Sequence, residues 1–111
     1  MILDRAALDK ELKLKTEEVP VGSGKVLVTE VTALEYMEVY DSEAAKNDKG
    51  YPDGSKFTAA LAVRCIVDKK GQRLYGDDEA DLLRNGSSSV YTKLILAVKR
   101  VNGLGVDPIK N

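Results

Sequence analysis

The segment from Lys56 to Val67 constrains this chain more than any other, because Phe57, Ala59, Ala60, Leu61, Ala62, Val63, Cys65, Ile66 and Val67 leave it apolar around most of a helical circumference. A surface helix shows one apolar stripe, so a segment apolar on several sides belongs inside, with other elements packed around it. The spacing predicts a central core helix over 56–67. Asp68-Lys69-Lys70-Gly71 follows with turn chemistry, Gly71 being free to take a positive φ. Arg64 interrupts the apolar run and Asp68 ends it, well short of the roughly 20 residues that cross a bilayer.

Several segments can cover such a helix. Val90, Tyr91, Leu94, Ile95, Ala97, Val98 and Val101 recur at helical spacing behind the N-cap candidates Ser87-Ser88-Ser89, and Asn102-Gly103 supplies a stop. Thr32-Ala33-Leu34-Glu35 reads as a capping box opening a short helix to about Tyr40. Asp77-Asp78-Glu79 places negative charge at the start of a helix of about two turns, which Asn85-Gly86 would end in a left-handed residue. At the other end, Ile2 to Leu14 carries loosely helical apolar residues behind Asp4 as N-cap. Leu14–Val19 and Lys25–Val31 lean to extended structure on either side of Pro20-Val21-Gly22-Ser23-Gly24, which predicts a hairpin. Asp41 to Ser55, with Asn47-Asp48-Lys49-Gly50 and Pro52-Asp53-Gly54, is expected to be the least ordered internal segment and tolerant of insertions. The sum is an α+β fold, predominantly α-helical: a small N-terminal β-hairpin followed by a helical domain of about four helices, one domain over 1–104 and a flexible tail over 105–111.

A chain of 111 residues suits one domain, burying roughly 65% of the surface its unfolded form exposes. The net charge of −1 comes from 17 basic and 18 acidic residues interleaved along the chain, so no basic stripe awaits a phosphate backbone, and the scattered aromatics offer no stacking platform. Nucleic acid and membrane are not expected partners. The start of the chain lacks a signal-peptide pattern and its single cysteine cannot form an internal disulfide, which makes the cytoplasm the expected compartment.

Chemistry-bearing patterns resolve into structural ones. Gly22-Ser23-Gly24-Lys25 has Val19 and Val26 where a phosphate loop needs glycine and Ser or Thr, so a hairpin turn is expected. The window from Asp68 to Glu79 has Lys70 and Arg73 at positions a calcium loop reserves for an acid and a glycine. Ser87-Ser88-Ser89 and Asp77, Asp78 and Glu79 are read as helix caps, Lys99 and Arg100 as complements to a helix dipole, and Cys65 as a small buried side chain. Without histidine, the commonest general base and metal ligand is missing. No catalytic residue, metal or cofactor is expected, and the chain reads as a protein-binding module.

In layout the chain resembles the tail assembly chaperones of long-tailed double-stranded DNA bacteriophages and related prophages. The resemblance covers about Val19 to Leu104. It rests on Gly24-Lys25-Val26-Leu27-Val28-Thr29-Glu30-Val31-Thr32-Ala33-Leu34-Glu35 after the hairpin turn, Leu61-Ala62-Val63-Arg64-Cys65-Ile66-Val67-Asp68-Lys69-Lys70-Gly71-Gln72-Arg73-Leu74-Tyr75, then Asp77-Asp78-Glu79 and a last helix closing on Arg100-Val101-Asn102-Gly103-Leu104. The order of these pieces carries it. The resemblance implies a protein that binds the tape measure protein, keeps its long apolar helices soluble, helps recruit tail tube protein, self-associates, and is absent from the finished virion. It also implies a short form, with a longer one made by translational frameshifting whose extension contacts the tube protein.

A client helix laid in an apolar groove would be expected around the last helix, at Tyr91, Leu94, Ile95 and Val98, the same residues that could equally fill the core. Two other readings share the size and composition. One is a structural tail or head-tail joining protein retained in the virion; the other is a small hydrolase using Asp77, Asp78 or Glu79.

Overall fold

The computed structural model describes residues 1–105. The elements are α1 (Arg5–Glu11), β1 (Thr16–Val21), β2 (Gly24–Thr29), α2 (Ala33–Asp41), α3 (Gly54–Cys65), β3 (Ile66–Val67), α4 (Ala80–Arg84) and α5 (Ser88–Val101), with 3₁₀ turns at Glu43–Ala45 and Asp77–Glu79. The fold is α+β, with a hairpin near the N-terminus and helices after it. The tail expected over 105–111 lies outside the described residues beyond Gly105.

The hairpin turns on Gly22 and Ser23 alone, Gly22 taking φ +58°, a conformation glycine adopts without steric cost. Its register pairs Val19 with Val26 and Glu17 with Val28, so alternation puts Val19, Val26 and Val28 on one face of the sheet. Ile66 of β3 lies opposite Val28 and extends that face. Against it packs α5, and α3 occupies the interior with Ala59, Ala60, Leu61, Ala62, Val63 and Cys65 all buried. Covering a leucine such as Leu61 completely stabilises the fold by about 2–3 kcal/mol relative to leaving it in water.

Most caps fall where the sequence places them. Thr32 Oγ1 accepts the Glu35 N–H while the Glu35 carboxylate accepts the Thr32 N–H, and Ser87 Oγ accepts the Val90 N–H. Gly71 and Gly103 take positive φ as their turns require.

Two local expectations are corrected and one is refined. The core helix stops at Cys65 instead of Val67: Ile66 and Val67 are β-branched, pair with Val28 and Leu27, and continue into a bridge between Val67 and Arg73. Sheet pairing here overrides helical continuation. The segment from Asp41 to Ser55 is irregular between α2 and α3 apart from the 3₁₀ turn, as expected, but it is held by specific contacts: Asn47 Oδ1 accepts the Lys49 and Tyr51 N–H groups, Lys46 bridges to Pro52, and Ala45 is buried under α3. An asparagine closing its own turn supplies the order that polar composition conceals. Finally, α4 ends at Asn85 without a left-handed residue, since neither Asn85 nor Gly86 has positive φ; the Gly86 N–H bonds the Leu83 carbonyl instead.

Candidate docking surface

Ion pairing commits part of the surface to the fold itself. Arg64 leaves the core helix with a side chain only 16% exposed, and its guanidinium donates to Glu38 of α2 at 2.8 Å and to Asp77 at 3.2 Å. Arg73 donates to the same Asp77 at 2.7 Å and to the Val63 carbonyl at 3.1 Å. Glu38, Arg64, Asp77 and Arg73 thus tie α2, α3 and the turn ahead of α4 into one ion-paired cluster. Asp77 does not cap a helix as expected; it is an anchor for two arginines. The Arg73 guanidinium first, then Arg64, holds its carboxyl below the usual range, which keeps it ionised and unfit to give up a proton near neutrality. Glu79 takes the capping role nearby, its carboxylate accepting the Gly76 N–H at 2.7 Å.

A second ion pair fixes α5 to the sheet. Arg100 donates to Glu17 of β1, with Nε to Oε1 at 3.0 Å, so it has a specific partner beyond the helix dipole. That hydrogen bond holds the Glu17 carboxyl below its ordinary value. Asn102 completes the seam, accepting the Val31 N–H and donating to the Val98 carbonyl, 3.5 Å from the Cys65 sulfur. Cys65 is fully buried, and burial pushes its thiol up to about 11. A thiol so placed is packing, as the sequence suggests.

The surface expected on α5 is largely inside. Val98 has no exposed area and Leu94 is 7% exposed, while Tyr91 and Ile95 are half-buried against the same core. Leu94 and Val98 therefore cannot meet a client without opening the molecule. The strong apolar stripe of α5 is what seats it on the hairpin. What the helix leaves outward is Leu96, beside Lys93, Arg100 and Pro20.

Uncovered apolar area gathers elsewhere, around α1 and α2. Asp4 Oδ1 accepts the Ala7 N–H and starts α1, yet no residue of that helix is buried. Leu3, Leu8, Leu12 and Leu14 stand out from it and its flanks, Leu12 being 67% exposed. Across from the end of α1, α2 turns Leu34, 71% exposed, and Met37 to the solvent. Between them runs a cleft of about 350 Å³ whose apolar lining includes Leu12, Leu14, Tyr36 and Met37 and whose charged lining is Glu11 and Glu30. The inner side of α2 is fixed by Val39 and by edge-to-face contacts of Tyr36 and Tyr40 with Phe57, so Leu34 and Met37 are presented on a rigid backing. Contiguous apolar surface of this kind marks an interaction site more often than chance exposure.

These residues were each visible in the sequence, but a short helix with uncovered leucines has the same spacing as one that is covered. Comparison with protein-family models, with curated proteins and with solved structures finds no match to this chain.

Proposed function

We propose that this chain is a tail assembly chaperone: it binds the tape measure protein of a long-tailed bacteriophage or prophage, keeps it soluble in the host cytoplasm until the tail tube forms around it, and does not remain in the virion. Its layout supports the reading, with hairpin, capping-box helix, core helix and closing helix in the order that the resemblance requires. The observation that carries it is α1. A seven-residue helix is marginal in water unless it packs on something, and α1 has no buried residue, with Leu8 and the flanking Leu3, Leu12 and Leu14 all left at least 45% exposed. A protein whose leucines wait on one side for a surface is suited to covering the apolar helices of another chain. In a longer frameshifted form, the added segment would recruit the tail tube protein. Self-association is part of the same proposal.

The test is co-expression with the long helical protein encoded downstream. Retention of that partner in a stoichiometric soluble complex is the expected result. A partner that aggregates equally with and without this chain would remove the chaperone reading and favour a structural tail component, which presence in purified virions would then identify.

A further inference from the structure

Two Asn-Gly pairs stand at helix ends, Asn85-Gly86 after α4 and Asn102-Gly103 after α5. Their asparagines hold nearly the same backbone, φ −92° and ψ 1° at Asn85 against φ −95° and ψ 2° at Asn102, and in each pair the glycine N–H bonds the carbonyl three residues back at 3.2 Å. The carboxamides differ. That of Asn102 is clamped, accepting the Val31 N–H and donating to the Val98 carbonyl, and beyond it Leu104 is tied to the Lys99 carbonyl at 2.7 Å and packs on the core. The Asn47 carboxamide is likewise held, by the Lys49 and Tyr51 N–H groups. Asn85 is exposed and, among the described residues, its carboxamide has no hydrogen-bond partner. The helix behind it has five residues, of which Leu83 alone is buried.

We propose that Asn85 is a site of spontaneous deamidation, and that Asn102, with the same neighbour and the same backbone, is protected from it. The Gly86 nitrogen attacks Cγ of Asn85, giving its proton to solvent; the new N–Cγ bond closes a five-membered succinimide, and the Cγ–Nδ2 bond breaks to release ammonia. Water then opens the ring at Cγ, giving aspartate, or at the backbone carbonyl carbon, giving isoaspartate, and no oxidant or reductant is needed. Gly86 lacks the Cβ that would crowd the attacking nitrogen. Ring closure requires the backbone to leave ψ 1° and the Gly86 N–H to leave Leu83, a local opening that a short helix with one buried side chain resists weakly. At Asn102 the same opening also leaves the buried Val31 N–H unmet and lifts Leu104 from its seat. The product places a carboxylate at the C-terminal end of α4, where the helix dipole opposes it, and isoaspartate adds a backbone methylene to the three-residue link between α4 and α5.

The full chain is incubated at mildly alkaline pH and physiological temperature. Tryptic peptides 85–93 and 101–110, which hold one Asn-Gly pair each, are then followed by mass for amide-to-acid conversion, with isoaspartate read by an isoaspartyl methyltransferase. In the native protein Asn85 should convert about tenfold faster than Asn102 or more, the ratio that an opening penalty of ordinary size produces. In urea, where neither carboxamide is held, the two rates should come together. Gly86→Ala, at a position whose φ is not positive, should suppress conversion at Asn85 and leave Asn102 as it was. Equal native rates at the two asparagines would overturn the proposal, as would an Asn85 slowed by folding as strongly as Asn102. A ratio that persists unchanged in urea would also overturn it, because the difference would then lie in the flanking sequence and not in the fold.

Discussion

Replacing Asn102 tests how the closing helix is locked to the rest of the molecule. Its carboxamide accepts the Val31 N–H at 3.2 Å and donates to the Val98 carbonyl at 2.8 Å, joining the end of α5 to the connection between β2 and α2. In Asn102→Ala the Val98 carbonyl keeps the backbone bond from residue 102, so its loss is small. The Val31 N–H keeps nothing from the protein, and Val31 is 7% exposed. An unmet buried donor costs about 1–3 kcal/mol, and ~2 kcal/mol is expected here. For a domain of this size that lowers Tm by about 8 °C, a sizeable part of a total stability of roughly 5–15 kcal/mol. Asn102→Asp separates the two bonds. It keeps an acceptor for Val31 but turns a carboxylate toward the Val98 carbonyl, so it should be destabilised near neutrality and recover as acidification restores a donor. Urea unfolding followed by circular dichroism gives the energies, and amide exchange at Val31 gives the site. An alanine variant within ~0.5 kcal/mol of the parent, with the Val31 amide equally protected, would refute the reasoning.

Acid titration should expose the Asp77 cluster: because Asp77 has a depressed folded pKa, its contribution is complete above the ordinary value of about 3.9 and is lost as pH falls through the folded one. Asp77→Asn should therefore be less stable than the parent at pH 7 by under ~1 kcal/mol, the carboxylate being mostly solvated, with the gap closing in acid; a gap constant with pH would count against the ion pairs. Cys65 should resist a thiol reagent in the native protein and react at the rate of global unfolding, and rapid native labelling would contradict its burial. Removing residues 1–14 should leave the remaining domain folded with nearly unchanged Tm while, under the proposed function, abolishing retention of the co-expressed long helical protein; loss of folding on removal would mean that α1 supports the core after all.

The fold was legible where local chemistry decides it. The capping box at Thr32, the serine cap at Ser87 and the turn glycines Gly22 and Gly71 act on their immediate neighbours, so their residue types announce them. The exit of α3 was not legible, because Ile66 and Val67 suit a buried helix and a buried strand equally, and the partner that decides between them is Val28, far back in the chain. The same holds for Arg64. In the sequence it only interrupts an apolar run, whereas in the fold it is a nearly buried cation whose partners lie 26 residues before it and 13 after. A charge inside a core helix does carry a signal, since burial without partners is too costly to persist, but it says that partners exist and not which they are.

Apolar periodicity has a similar limit for the docking surface. It reports that a helix has a face to bury and is silent on what covers it. The stripe of α5 is the strongest in the chain, and for that reason it is claimed first, by a hairpin whose alternating valines match it. Leu94 and Val98 were thus the least available candidates on that helix, though they had the most regular spacing. What remains for a partner is the apolar area the core has no room to take, on the short helices α1 and α2. In a chain this small, surplus leucine on a short helix is the apolar area left free for contact, because the long amphipathic stripe is what the domain needs in order to fold.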